Sequence, residues 1–393
     1  MKLIFCLLAE QGHINPYIGP AQALRLLGHE VLVASSGDIS EQMKNSDLPF
    51  SRALISPEAG AAPRGKALVD LIEDRSQHRA LIETVFLKGI VEQVEPMKKW
   101  LEEEAPDGVI VDPMNYAAVI AAHLLGIPWI SISSSLTSVI PSDLKSDTLD
   151  IVASLAPMRA EVFGRFGFVP EFRAVDCFSP YLNITFATRD FIGHTPKDVE
   201  LVGPSVALFQ RGDEVELRTT PSDKLLIYVS FGSQVFYYPT IFKKIIKACE
   251  TLSVHLVLSI GDLADEPEWE DKKNVQFYKY APQLEILKRA ALFITHGGAN
   301  SVMEGLRAGV PLLISPLCND QYHQAHFIEK SGVGRSLDLR IASVEEIRGM
   351  IGSVLRSENI QHSLRSLTQA YQTNGSMRAA RLISRRLESN IDA

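Results

Sequence analysis

Residues 290–321, AALFITHGGANSVMEGLRAGVPLLISPLCNDQ, hold one complete strand, turn, helix, strand unit, and the rest of the chain is read outward from it. Ala291 to Thr295 is an apolar run of strand length, and His296-Gly297-Gly298 breaks it. Asn300 to Ala308 has helical spacing of its apolar residues, and Val310 to Ser315 reads as a second buried strand. Two glycines between a strand and a helix let backbone N–H groups and the positive helix end approach an anion closely, as phosphate sites in doubly wound sheets require. The stretch predicts a parallel α/β sheet and a phosphate-bearing ligand.

Upstream of it the same alternation recurs. Lys224 to Ser230 reads as a strand, Phe231-Gly232-Ser233 as a turn, Thr240 to Leu252 as a helix, and His255 to Ile260 and Val275 to Tyr278 as further strands. In the first half, residues 3–9 form an expected strand and 10–14 a loop. A helix is then expected to start with Asn15 as cap and Pro16 in its first turn, where a missing N–H costs nothing. Pro20 is discordant with an uninterrupted helix. Gly108 to Val111 reads as a strand ending in Asp112, followed by a helix that Gly126 stops and a strand from Ile127 to Ser133. Residues 55–66 are small, polar and proline-bearing, which predicts a surface loop, and Ser133 to Asp176 predicts loops and short helices around a pocket. The division expected is a Rossmann-like domain over 1–206, a polar linker over 207–223, a second Rossmann-like domain over 224–375 and a C-terminal helix over 376–393 that packs back on the first domain.

Composition sets bounds on function. A chain of 393 residues with 46% hydrophobic and 22% charged residues has material for two cores. Its net charge of −8 argues against nucleic acid as a partner, since phosphate backbones need a concentrated basic face. Cys6, Cys177, Cys249 and Cys318 lack C-x-x-C spacing, so reduced thiols are expected rather than disulfides or zinc. No run reaches the roughly 20 apolar residues of a spanning helix. The expectation is a cytoplasmic enzyme, monomeric or homodimeric, without stable membrane insertion.

Polar residues at the carboxyl ends of the expected strands are the candidates for chemistry. His13 follows the first strand and Asp112 ends the Gly108 to Val111 strand; a carboxylate on one imidazole nitrogen fixes the tautomer and makes the other nitrogen a base. By spacing alone, a loop histidine and a turn-capping aspartate are the ordinary explanation of both residues. Ser233 and the Gly297-Gly298 turn present donors to a diphosphate, whereas Asn300 and Ser301 sit where helix caps are expected anyway. Glu304, one turn beyond Asn300, faces either ribose hydroxyls or simply the helix dipole. His323 and His326 lie three residues apart without an evident third metal ligand.

The stretch THGGANSVMEGLRAGVPLLISPLCNDQ, with Tyr280-Ala281-Pro282-Gln283 before it and GHINP at 12–16, resembles the UDP-glycosyltransferase superfamily, glycosyltransferase family 1. That resemblance implies the GT-B plan, two doubly wound domains facing across a cleft. It implies an inverting, metal-independent transfer of a hexose, glucose foremost, from a UDP-sugar to a small hydrophobic natural product, with no cofactor besides the co-substrate. His13 matches the catalytic base and Asp112 its acidic partner. Ser233, His296, Gly298, Asn300 and Ser301 match the diphosphate site, Glu304 and Gln283 the ribose site, and Gly12 belongs to the donor-binding set. Tyr280 and Ala281 match the positions on the base, and Asp320 and Gln321 the pair on the sugar hydroxyls. Gly298 and Ala299 depart from the cysteine-glycine-tryptophan run of plant members, which leaves the soluble bacterial natural-product enzymes as the nearest resemblance. The rival readings are a UDP-sugar 2-epimerase and a non-catalytic partner protein of the same fold.

Overall fold

The computed structural model describes residues 1–52, 63–194, 196–221 and 223–391. The expected loop at 55–66 lies for the most part outside the described residues. In chain order the first half contains β1 (Lys2–Leu7), β2 (Glu30–Ser35), β3 (Phe50–Ser51), β4 (Gly108–Val111) and β5 (Trp129–Ser133). A short antiparallel pair follows, β6 (Phe172–Arg173) and β7 (Asp176–Cys177), and then β8 (Leu182–Thr185) and β9 (Glu200–Leu201). The second half contains β10 (Leu225–Ser230), β11 (Val254–Ser259), β12 (Val275–Tyr278), β13 (Ala290–Thr295), β14 (Leu312–Ile314) and β15 (Gly334–Ser336). Two parallel sheets result, ordered β3-β2-β1-β4-β5-β8-β9 and β12-β11-β10-β13-β14-β15. In each, the strand order reverses beside the first strand, between β1 and β4 and between β10 and β13. Ligands of open α/β sheets collect in the crevice outside those carboxyl ends.

Both faces of each sheet are covered, so the strands are apolar throughout while their side chains still alternate. Leu3, Phe5 and Leu7 of β1 pack with the helices Gln11–Leu26 and Gly375–Ile391, whereas Ile4 and Cys6 pack on the opposite side with Ile90–Glu104 and Tyr116–Leu124. The C-terminal helix belongs to the first core by contact. Its Ala379, Ala380, Ile383 and Leu387 are fully buried, Leu387 lies over Gly108, and Ser384 Oγ sits 2.7 Å from His29 Nε2. Burying Ile383 and Leu387 contributes roughly 1.5–3 kcal/mol each.

The first helix departs from the expectation in a way that matters for the site. It starts at Gln11, not at Asn15, and contains both Pro16 and Pro20. His13 therefore lies in a helical first turn and not in a loop. Each proline lacks the N–H that would bond four residues back, and each released carbonyl is taken by another part of the chain. Gly12 O, freed by Pro16, accepts from Asn300 Nδ2 of the second domain at 3.3 Å. Pro16 O, freed by Pro20, accepts from Ser205 Oγ at 2.6 Å. The prolines are tolerated because their cost is offset by contacts from Asn300 in the second domain and from Ser205 at the end of the first, information that sits far away in sequence.

Gly19 lets the same helix approach the end of the first domain and the start of the C-terminal helix. A Cβ there would lie 2.1 Å from Val206 O and 2.2 Å from Ser376 Oγ, and Ser376 is fully buried, donating to Val206 O and accepting from Val206 N at 2.8 Å each. Gly19→Ala is expected to destabilise the protein by about 1–3 kcal/mol or more, because backbone and not a flexible side-chain end must move. Gly349→Ala, at an exposed helical glycine with nothing within 4 Å of its Cβ, should instead gain about 0.5–1 kcal/mol. Thermal midpoints of the two variants, moving in opposite directions, check the assignment.

Candidate active site

The two switch points face one another across the interdomain cleft, and most of the residues expected to carry chemistry lie at them. On the first domain, β1 leads into the turn of His13 and the neighbouring strand β4 ends at Asp112. Adjacency in the sheet, not in sequence, brings His13 Nδ1 within 2.7 Å of Asp112 Oδ2. Asp112 is fully buried and well held: Met114 N donates to Oδ1 at 3.0 Å and Tyr17 OH lies 3.0 Å from Oδ2. Ser134 Oγ is 3.0 Å from His13 Nδ1. With Nδ1–H donated to the carboxylate, Nε2 is the nitrogen left for a substrate proton. Burial alone would lower the imidazole's pKa. The charge and hydrogen bond of Asp112, with Glu10 and Asp320 adding to them, outweigh it and raise His13 to about 9.

Asp176 is a member of this cluster that no sequence signal singled out. It lies in β7, within the stretch without periodicity, and only the fold carries that hairpin beneath the dyad. It is 2% exposed and accepts from Ser133 Oγ at 2.5 Å. Burial pushes its carboxyl up to about 7, against the Ser133 hydrogen bond, and Asp112 adds to the rise.

Across the cleft, β10 ends in the Phe231–Ser233 turn and β13 in His296–Gly298. The imidazole of His296 is slotted between two glycines, since a Cβ at Gly232 or at Gly298 would lie 2.7 Å from its Nε2. Gly232 also has φ +78, where a side chain would be strained. Burial lowers the His296 pKa to about 4, against a hydrogen bond with the Ser230 backbone, so this ring is neutral and carries a single N–H, which either the Ser230 backbone or an anion in the cleft can accept. The helix Ala299–Ala308 starts directly behind it, with Gly298 as a cap that supplies no side-chain hydrogen bond. Its free N–H groups and dipole therefore point into the cleft, an arrangement that suits an anion. Asn300 and Ser301 are not caps: Asn300 reaches Gly12 O, and Ser301 Oγ lies 3.4 Å from Gln283 Nε2.

Glu304 is 8% exposed and both its oxygens are engaged. Gln283 Nε2 donates to Oε2 at 2.6 Å, and Arg211 Nη1 donates to Oε1 at 2.6 Å. Arg211 was read only as part of a polar linker, because a sequence without periodicity offers no sign of what one cation faces. Tyr280 presents a 46% exposed ring after β12, and Ala281 N donates to Ser259 Oγ at 3.3 Å. Burial raises Asp320 to about 6, partly offset by His13 across the cleft. Gln321 turns inward: its Oε1 accepts from Leu317 N at 2.8 Å and Cys318 N at 3.1 Å. Ser233 is partly exposed at the mouth of the same cleft.

The cleft is bridged directly by further pairs. Gln234 Nε2 donates to Glu10, and Gln234 O accepts from Gly65 N at 2.7 Å. In the first domain a small apolar depression is lined by Ile82, Phe86, Tyr116, Leu155 and Arg159. Phe163, one of the aromatics in the 134–175 stretch, belongs to the core instead, 1% exposed and packed edge-on to Tyr116 and Phe172. His323 is 2% exposed with neither ring nitrogen hydrogen-bonded. Among the described residues no group of three or more His, Cys, Asp or Glu could hold a metal ion, and no helix is long and apolar enough to cross a membrane.

Residues 210–373 match the family described as UDP-glucoronosyl and UDP-glucosyl transferase. The chain is 28% identical to the NDP-glycosyltransferase YjiC of Bacillus licheniformis over 85% of each protein. It is 26% identical to the oleandomycin glycosyltransferase of Streptomyces antibioticus, over 97% of this chain and 89% of that one. The crystal structure of the glycotransferase of kitacinnamycin superposes with a TM-score of 0.77 at 25% identity, covering 98% and 99% of the two chains.

Proposed function

From the premise that this chain is a GT-B glycosyltransferase of the UDP-glycosyltransferase family, we propose an inverting transfer of a hexose, glucose foremost, from a UDP-sugar to a hydroxyl of a small hydrophobic natural product. One observation carries the reading: the His13–Asp112 dyad at one switch point faces the neutral His296 and an uncapped helix N-terminus at the other. A base and an anion site on opposite sides of one cleft suit a displacement at a carbon held between them.

In that displacement His13 Nε2 takes the acceptor proton as the acceptor oxygen attacks the anomeric carbon from the face opposite the diphosphate. The bond to the diphosphate breaks with inversion through an oxocarbenium-like state. Negative charge develops on the departing phosphate, where His296, Ser233 and the Gly298 to Ser301 backbone act as donors without the aid of a metal. Asp112 holds the imidazole and stabilises the imidazolium. Tyr280 stacks on the base, with Ala281 beside it. Glu304 and Gln283 take the ribose, Asp320 the hexose while Gln321 holds the Leu317–Cys318 turn beside it, and Gly12 and Asn300 close over the diphosphate. Residues 1–206 thus receive the acceptor and residues 224–375 the donor. The acidic charge and four buried free thiols fit a cytoplasmic protein, monomeric or homodimeric.

UDP-glucose incubated with pooled hydroxylated aglycones should give products heavier by one hexosyl group. Epimerised sugar without any acceptor product would turn the reading to the epimerase, and UDP binding without turnover would turn it to a non-catalytic partner. The pH profile tests the dyad separately. His13 at about 9 is largely protonated at neutral pH, so kcat/KM for the acceptor should rise as the pH climbs toward 9. Asp112→Asn removes the charge that raises it while burial persists. The ascending limb should therefore move down to about 6.5 or lower, with a reduced plateau. An unmoved limb would dissociate the profile from His13.

A further inference from the structure

We propose that Asp176 is a positioning residue for the base: from the β6–β7 hairpin it holds the Ser133–Ser134 turn against the His13 ring, so that Nδ1 stays on Asp112 and Nε2 stays turned to the acceptor. The inference rests on the role given to His13 above. Asp176 acts at one remove. Its Oδ2 accepts from Ser133 Oγ at 2.5 Å, and the next residue, Ser134, puts its own Oγ 3.0 Å from His13 Nδ1. The single N–H at Nδ1 is thus framed by two acceptors, Asp112 Oδ2 at 2.7 Å and Ser134 Oγ, and displacing either one turns the ring.

The hairpin is held firmly where it carries Asp176. Ala174, at its turn, has a φ of 49°, a left-handed conformation that a residue with a Cβ keeps only where its surroundings impose it. Arg159 Nη1 donates to Ala174 O, Tyr116 OH to Val175 O at 2.6 Å, and Arg173 Nη1 to Ser138 O at 2.9 Å. Cys177 N, beside Asp176, donates to Pro113 O at 3.1 Å, one residue beyond Asp112. The hairpin therefore grips both the turn after β4 and the turn after β5, and these are the turns that present Asp112 and Ser134 to His13. Without Asp176 the Ser133 hydroxyl turns to Ser135 O, 3.2 Å away in its own turn, and the tie to the hairpin is lost. When ionised, Asp176 also adds its charge to those of Asp112, Glu10 and Asp320 around the imidazolium.

The test follows the His13 ring by NMR in the full chain carrying isotope-labelled histidine, its resonance being the one absent from His13→Ala. In the parent the ring should titrate at about 9. Ser133→Ala, which keeps Asp176 and removes the link, should bind the proton roughly ten-fold less tightly, and Asp176→Ala at least as weakly. The double variant should lose no more than the worse single one, because both changes cut one path. Asp176→Asn, whose amide oxygen still accepts from Ser133, should lie nearer the parent. The plateau of kcat reached at high pH should fall roughly ten-fold in the alanine variants, a part of what general-base help is worth. Their dissociation constants for UDP should stay within about two-fold of the parent's. A variant that merely unfolds in part loses signal and rate but does not move the titration. A His13 titration in Ser133→Ala equal to the parent's, or additive losses in the double variant, overturns the inference and leaves the glycosyltransferase reading intact. Absence of transfer by the parent would instead overturn the role of His13 as base, and the inference with it.

Discussion

His13→Ala lowers kcat for transfer to an alcohol acceptor by roughly 10²–10⁴-fold, the range that general-base help supplies, while UDP affinity stays close to that of the parent. The second half of this expectation gives the test its force. His13 belongs to the first domain and its Nδ1 is held by Asp112, so its loss removes no donor from the turns at Ser233 and Gly298. Turnover equal to that of the parent would remove His13 from the chemistry. Loss of UDP binding in parallel would make it a structural residue. Stability offers an independent reading of the same pair. His13 is raised to about 9 in the folded chain from about 6.5 unfolded, so the native state holds a proton that the unfolded chain releases. The dyad's contribution is complete below about pH 6.5 and is lost as the pH rises through 9. His13→Ala should abolish that slope between pH 7 and 9, measured as denaturant midpoints across the range.

His296→Ala should cost about 10²–10³-fold in kcat, the loss seen when one donor to a developing oxyanion is removed. The argument is electrostatic. The ring is buried between Gly232 and Gly298 and kept neutral, so its N–H is fixed before the diphosphate gains charge and need not reorganise when it does. His296→Gln, which retains an N–H donor of similar reach, should recover part of the rate. Equal damage from alanine and glutamine would mean that the ring only fills the slot between the glycines. Because burial holds His296 at about 4, its own titration should leave activity unchanged between pH 5 and 8. A limb in that interval that disappeared with His296 would show the ring to be charged during turnover.

The parallel sheets, their helices and the glycine turn at 296–298 were legible because they are encoded locally. Strand length, apolar period, capping residues and Gly-Gly breaks occupy contiguous residues, and a β-α alternation leaves a parallel sheet as the economical way to bury them. The placement of His13 and Asp112 on strand ends was legible for the same reason. Their 2.7 Å contact was not, because it depends on β1 lying next to β4, a pairing across more than 90 residues. The start of the first helix was misread at Asn15 because prolines mark helix ends only on average. Here Asn300 and Ser205 take the two carbonyls that Pro16 and Pro20 release, and neither partner lies near in sequence.

Asp176 and Arg211 were missed for a sharper reason. Each is a single charged residue in a stretch without periodicity, and its meaning lies wholly in what it faces. Asp176 faces Ser133 beneath the dyad, and Arg211 faces Glu304 across the domain boundary. The sequence by itself determined the two-sheet architecture and the glycine turn at 296–298, because short-range pattern and side-chain type suffice for those. Only the tertiary structure decided which charges meet: that His13 is raised to about 9 while His296 is held near 4, and that the acid expected for ribose is already paired. Burial and through-space charge fix protonation and pairing, and neither is a property of neighbours along the chain.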